Sequence, residues 1–198
     1  MIAQKNRIES TFEKRSDNEK IMSLFLTAGY PDLESTADLI LGFEENGADM
    51  VELGMPFSDP LADGPTIQEA SNTAIKNGIT MNGIFDIVKK VRETSQIPII
   101  LMGYINPVFR YGVETFCKKA EESGVDGLII PDAPIEESGI LSEHAKAHGL
   151  HMIYLVAPNT TSERMNIIDE KSDGFVYCVS VTGVTGARDG NEVAQSVQ

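Results

Sequence analysis

The chain has 198 residues, 41% hydrophobic and 23% charged, which is the composition of an ordinary globular domain. Its formal net charge of -14 repels nucleic acid and anionic lipid and argues against both as partners. An anionic small substrate would need a local nest of backbone N–H groups or a helix N-terminus to overcome that field.

Met1 to Lys20 is polar and mixed in charge, with no apolar signal core, and no run of about 18 apolar residues follows anywhere. The sequence therefore reads as cytoplasmic, neither exported nor membrane-spanning. A first strand is predicted over Ile21–Thr27 and a helix over Leu33–Asn46. The second strand, Asp49–Leu53, is followed by a loop stiffened with proline and glycine, then by helices over Thr66–Asn77 and Met81–Thr94. The third strand, Ile97–Gly103, leads to a helix over Val113–Ser123, and the fourth, Gly127–Ile130, to a helix over Glu137–His148. Two more strands, His151–Val156 and Gly174–Val179, flank a last helix over Ser162–Glu170.

This alternation means β/α units around a parallel sheet covered on both faces. Gly47, Gly124 and Gly149 each follow a helix and suit its left-handed C-cap. The recurring Gly-Ala/Val-Asp before an apolar strand, at 47–49 and 124–126, reads as reuse of one unit. No linker divides residues 1–198, so a single domain is expected. A closed barrel of eight β/α units takes about 250 residues. Six strands are found here, and Asn191–Gln198 has the spacing of a helix just beginning. The expected fold is α/β, a barrel cut short after about six β/α units, with its seventh and eighth strands absent from the sequence.

Cys117 and Cys178 have no metal-type spacing and read as two buried, reduced thiols. His144 and His148 are spaced like metal ligands, but no acidic motif accompanies them, so they are assigned to a solvent face and no metal is expected. No nucleotide-binding glycine motif, P-loop or strand-end lysine for a Schiff base is visible.

The stretch from Val51 to Pro65 is the richest in chemistry. Its apolar strand carries a carboxylate, Glu52, and the loop after it presents Asp59 and Asp63. An unpaired carboxylate in an apolar strand costs several kcal/mol, so its presence there points to chemistry. In an apolar barrel mouth its pKa is raised, which lets it give and take a proton near neutral pH, while a better solvated second carboxylate stays ionised. The alternative for Glu52 is pairing with a buried cation, although the other strand ends hold no lysine or arginine; for Asp59 and Asp63 it is ordinary turn capping. Tyr104 and Tyr177, at strand ends, either orient a substrate or simply pack there. Thr182–Arg188, rich in glycine, is either a mobile lid or only a loop.

Several blocks in this order resemble the tryptophan synthase alpha chain family. They are Leu24–Pro31, Glu52–Pro65, Met102–Pro107, Pro131–Glu137 and Ser180–Gly186, and the run Pro56-Phe57-Ser58-Asp59-Pro60-Leu61-Ala62-Asp63-Gly64-Pro65 is the most specific. The resemblance covers nearly the whole sequence. It implies a TIM (β/α)8 barrel and a lyase that cleaves indole-3-glycerol phosphate, by a retro-aldol reaction, into indole and glyceraldehyde 3-phosphate. It implies no metal or organic cofactor on this chain. The expected partner is a beta chain holding pyridoxal phosphate, which receives the indole for tryptophan synthesis in an αββα assembly.

Residue by residue, the resemblance implies that Glu52 is the general acid/base at the indole C3. Asp63 would bind the indole N–H and stabilise the positive charge on the ring. Phe25, Tyr104 and Tyr177 match positions that line the indole pocket or support the glutamate. Thr185 matches a lid residue that closes onto Asp63, and Gly186 a backbone contact near the phosphate. Much of the family's phosphate site comes from loops after the seventh and eighth strands, which have no counterpart in these residues. Two other functions fit the same fold: a stand-alone lyase releasing free indole, and a non-catalytic subunit that only activates the beta partner. Retention of Glu52 and Asp63 speaks against the second. The family-like loop after the second strand and Asn106–Phe109 favour a complex over the first.

Overall fold

In a computed structural model, which describes residues 5–16 and 19–179, short parallel strands alternate with helices. Strands β1 (Ser23–Thr27), β2 (Met50–Gly54), β3 (Ile99–Met102), β4 (Gly127–Ile129) and β5 (His151–Met152) pair in chain order, all parallel. A second sheet pairs β6 (Leu155–Val156) with β7 (Tyr177–Cys178). The helices are α1 (Arg7–Lys14), α2 (Ser35–Glu45), α3 (Pro65–Lys76), α4 (Met81–Arg92), α5 (Ile105–Tyr111), α6 (Val113–Ser123), α7 (Gly139–Ala147) and α8 (Ser162–Lys171). No helix among the described residues is long and apolar enough to cross a membrane.

The strands divide the apolar side chains into two cores, because successive residues of a strand face opposite ways. On the outer face, Leu26, Val51, Leu53, Ile99, Leu101 and Leu128 pack in one buried cluster with Ile84, Phe85 and Val88 of α4 and Phe116 of α6. On the inner face, Met50, Ile100, Ile129 and Ile153 gather around Ile8 of α1. Helix α1 thus seats against the inner core. A Cβ on Gly174 would lie 2.9 Å from Ile8 Cγ2, and one on Gly127 would lie 3.1 Å from Ile8 Cδ1, so these glycines make room for it.

At the N-terminal ends of the strands, Asp126 is 2% exposed and joins three elements. It accepts Arg7 Nη1 at 2.9 Å, Arg92 Nη2 at 2.8 Å and the Ile99 N–H at 2.8 Å. Arg92 also donates to the carbonyls of Gly124 and Ile97, at 2.9 and 2.7 Å. No buried side-chain nitrogen or oxygen among the described residues is left without a partner, this floor included.

The three predicted glycine stops hold, at φ +95° for Gly47, +89° for Gly124 and +67° for Gly149. The predicted fifth strand divides in two. The His151 and Ile153 N–H groups bond the Asp126 and Leu128 carbonyls on the β4 side, both at 3.0 Å, whereas the Met152 and Tyr154 carbonyls accept the Asp173 and Tyr177 N–H groups on the β7 side, both at 2.9 Å. One segment thus bonds both of its neighbours by alternate residues. Helix α1 lies within a stretch that sequence alone describes only as polar and mixed. Helix α5 is also additional; its Pro107 stands in the first turn, where a missing N–H costs nothing.

Cys117 is buried as expected, but Cys178 is exposed. It follows Tyr177 on β7, so strand alternation turns it away from the inner core that holds Tyr177. His148 pairs with Glu121 at 2.7 Å on the surface, and no metal-binding group of acidic, histidine and cysteine side chains exists among the described residues. The Thr182–Arg188 loop, with Thr185 and Gly186, and the predicted helix start at Asn191 lie outside the described residues.

Replacing Asp126 by alanine leaves two guanidinium groups without their carboxylate. The variant is expected to lose about 3 kcal/mol of stability. This is read as a lower urea midpoint at unchanged slope; an unchanged midpoint would mean that the ion pairs do not hold the floor.

Candidate active site

Glu52 lies in the middle of β2, in register with Phe25 on one side and Ile100 on the other. It is 7% exposed. Its carboxylate accepts one hydrogen bond from the Ser23 hydroxyl, to Oε1 at 2.7 Å. No ion pair reaches it among the described residues, so the buried-cation alternative finds no support there. Burial pushes its pKa above the ordinary glutamate value, and the Ser23 hydrogen bond opposes that shift. From β7, Tyr177 faces the same carboxylate; burial and then the Glu52 charge both raise its pKa.

Asp63 reaches the site by a different route. It closes the loop after β2 and stands just before Gly64, the N-cap of α3, with Pro65 at the first helical position. Burial raises its pKa, and a hydrogen bond to the Tyr104 hydroxyl works the other way. Tyr104 is 5% exposed and precedes α5; its hydroxyl oxygen also accepts the Ala62 N–H at 2.9 Å. Burial, tempered by the Ala62 N–H and reinforced by the nearby Asp63 charge, pushes its pKa up to about 12. The phenol is therefore a firm proton donor to Asp63. Its ring stacks at a tilt on Phe57 at 5.5 Å, and Asp132, from beyond β4, caps α5 by accepting the Ile105 N–H at 2.9 Å.

Phe25 leans over the end of β2. A Cβ on Gly54 would lie 2.6 Å from Phe25 Cζ, so the bare backbone there lets the ring lie close. Phe25, Thr27, Asp63, Met102 and Tyr104 line one small cavity of about 30 Å³ at the C-terminal ends of β1 to β3. Glu52 sits one layer below that cavity on the same inner face, with Tyr177 beside it. Of the residues proposed from sequence, Phe25, Asp63 and Tyr104 thus share the cavity wall, and Glu52 and Tyr177 form the layer beneath. Asp59 stays outside: it is exposed and accepts the Ser58 hydroxyl at 2.6 Å, which is turn chemistry.

Sequence reasoning passed over Ser23 and Asp132. Ser23 had a readable signal, since it lies two residues before Phe25 and hence on the same strand face. Asp132 had none, because its partner amide lies 27 positions away in sequence.

Two carboxyl groups in unlike surroundings can take unlike protonation states at one pH. The deep one is held, among the described residues, by the Ser23 hydroxyl. Burial raises the pKa of both, opposed in the shallower one by the hydrogen bond from the Tyr104 phenol.

A model of the tryptophan synthase alpha chain family matches residues 12–198. The tryptophan synthase alpha chain of Flavobacterium psychrophilum is 48% identical over 195 residues, which is 96% of this chain and 75% of that one. Among solved structures, the alpha subunit from Legionella pneumophila superposes with a TM-score of 0.86 at 42% identity, covering 89% of this chain and 68% of its own. A chain of the tryptophan synthase α2β2 complex of Pyrococcus furiosus gives 0.77 at 45% identity, covering 80% and 65%. The strand arc is accordingly the sheet of a TIM barrel, and the chain belongs to the tryptophan synthase alpha chain family.

Proposed function

We propose that Glu52 and Asp63 divide the work of the carbon–carbon lyase reaction of this family, the retro-aldol cleavage of indole-3-glycerol phosphate. The observation that carries this reading is a carboxylate 7% exposed on an apolar strand, with a serine hydroxyl in place of a cation. Indole is a poor carbon leaving group until its C3 is protonated. Glu52, protonated, gives its proton to C3, and the positive charge that appears on the ring settles at the N1–H side, where Asp63 accepts a hydrogen bond. The Glu52 carboxylate then takes the proton of the glycerol hydroxyl on the carbon attached to C3. That carbon becomes an aldehyde, the bond to C3 breaks, and its electron pair restores the indole. One proton has entered at C3 and one has left the hydroxyl, so Glu52 ends as it began.

In this reading Phe25 and Tyr104 form walls of the indole pocket and Tyr177 supports Glu52. Thr185 and Gly186, outside the described residues, supply the lid and the contact near the phosphate. The route calls on no metal or organic cofactor of this chain, pyridoxal phosphate being assigned to the beta partner. That partner is expected on the face built by the loop after β2 and by α5, where Leu61 is 89% and Phe109 52% exposed. An exposed leucine and phenylalanine on adjoining segments form an apolar surface that a subunit can cover.

Indole release from indole-3-glycerol phosphate, measured with and without a beta chain, tests the reading. Release that rises with the beta chain supports the alpha-subunit role; release indifferent to it marks a stand-alone lyase. Glu52→Gln is expected to lower turnover by at least about 10³-fold without unfolding the protein, and retained turnover would end the assignment. Asp63→Asn is expected to leave about one hundredth of the activity, as for loss of one preorganised charge contact.

Glu52 also makes a stability prediction. Its folded-state pKa lies above the ordinary value of 4.5, so folding takes up a proton and the ionised form is penalised. The associated stability is present below that value and lost as pH rises through the folded-state pKa. Glu52→Gln removes this loss: its thermal midpoint should match the parent in acid and exceed it toward neutral pH. A midpoint below the parent at neutral pH would show that the carboxylate is stabilising instead.

A further inference from the structure

We infer that Ser23 is a positioning residue for Glu52, committing Oε1 to a fixed hydrogen bond and leaving Oε2 as the oxygen that carries the transferable proton. The inference rests on the acid/base reading of Glu52 and adds which atom acts and what holds it.

Ser23 opens β1 on the same inner face as Phe25, in register with Met50. Its neighbours on that face belong to an apolar core of Met50, Ile100 and Tyr177. A hydroxyl in such a place is destabilising unless it is bonded. Its hydrogen bond runs 2.7 Å to Glu52 Oε1, near the favoured length for a hydroxyl donating to a carboxylate. A carboxylate only accepts, so the shared hydrogen belongs to Ser23. Oε1 keeps that bond when Glu52 is protonated, because the carbonyl-type oxygen of the acid is still an acceptor. The proton of the acid therefore resides on Oε2.

Among the described residues, the groups that face Glu52 leave Ser23 as its donor. β1 presents Ser23 and Phe25, β3 presents Ile100, and neither strand brings a charge there. From β7, Tyr177 faces the carboxylate as a neutral phenol whose pKa is raised. The hydroxyl is thus what favours the carboxylate against the burial that opposes it, and it tunes the proton exchange as well as the geometry.

The test compares Ser23→Ala with Ser23→Thr, which keeps a hydroxyl on the same strand face. Two readouts are needed. The first is the titration of the Glu52 carboxyl carbon by ¹³C NMR, its signal assigned by its loss in Glu52→Gln. The second is the pH profile of indole release with the beta chain present. Ser23→Ala should raise the Glu52 midpoint by on the order of one pH unit and move the alkaline limb of the profile, where the proton-donating form of Glu52 is lost, up with it, the size expected for one hydrogen bond to a charged group. Ser23→Thr should stay within a few tenths of a unit of the parent. An unmoved midpoint in Ser23→Ala overturns the inference. So does an equal shift in both variants, which would reflect disturbed packing in β1. The acid/base reading fails separately, through turnover retained by Glu52→Gln, whatever Ser23 does. The NMR titration needs no turnover, so the inference stands or falls on its own.

Discussion

The structure turns on one unfavourable act, the burial of Glu52 on the inner face of an otherwise apolar strand. An isolated ionised carboxylate there would be several kcal/mol out of place. A cation would relieve that cost but would also fix the group as an anion, which would end the acid role proposed for it. A single serine hydroxyl relieves it in part and leaves the proton free to come and go. The rest of the inner face around it is apolar: Ile100 and Met50 are buried there, and Tyr177 packs against them from β7 with a phenol whose pKa is raised.

Support for that layer comes from below. Asp126, Arg7 and Arg92 tie α1, α4 and the segment before β4 into a floor, and Ile8 fills the space above them. At the floor one carboxylate binds two guanidinium groups, whereas toward the mouth the Glu52 carboxylate meets a serine hydroxyl and no cation among the described residues, as the proposed chemistry requires. This matches the division between the two ends of β/α barrels. At the mouth, consecutive residues tie two loops together: Tyr104 holds Ala62 and Asp63 after β2, and the amide of Ile105 is held by Asp132 after β4.

The alternation of strands and helices, the glycine stops and the richness of Val51–Pro65 were legible in sequence because each rests on local periodicity or turn chemistry. Glu52 stood out because an acid in an apolar run breaks the pattern. Tyr104 was ambiguous, since a strand-end tyrosine reads alike whether it packs or holds a carboxylate. The division of the fifth strand into β5 and β6 was hidden, because His151 to Val156 form one run in sequence and only the neighbouring segments decide which residues pair as strand. Helix α5 was masked by Pro107, and its cap comes from a carboxylate far along the chain. The burial of Cys178 was misjudged because a two-residue strand has no periodicity from which to tell its faces apart.

Where Phe25 crosses Gly54, the wall of the cavity is shaped by something missing. The ring lies where the first carbon of any other side chain would stand, 2.6 Å from its Cζ. A methyl group at 54 turns the ring outward, and a smaller residue at 25 leaves the backbone of 54 bare. The two positions are therefore sterically coupled across β1 and β2: a side chain at 54 requires the Phe25 ring to shift. The Gly-Met-Pro that opens the loop and the Phe-Leu-Thr of the first strand, which look like separate signatures, are two halves of one steric fit.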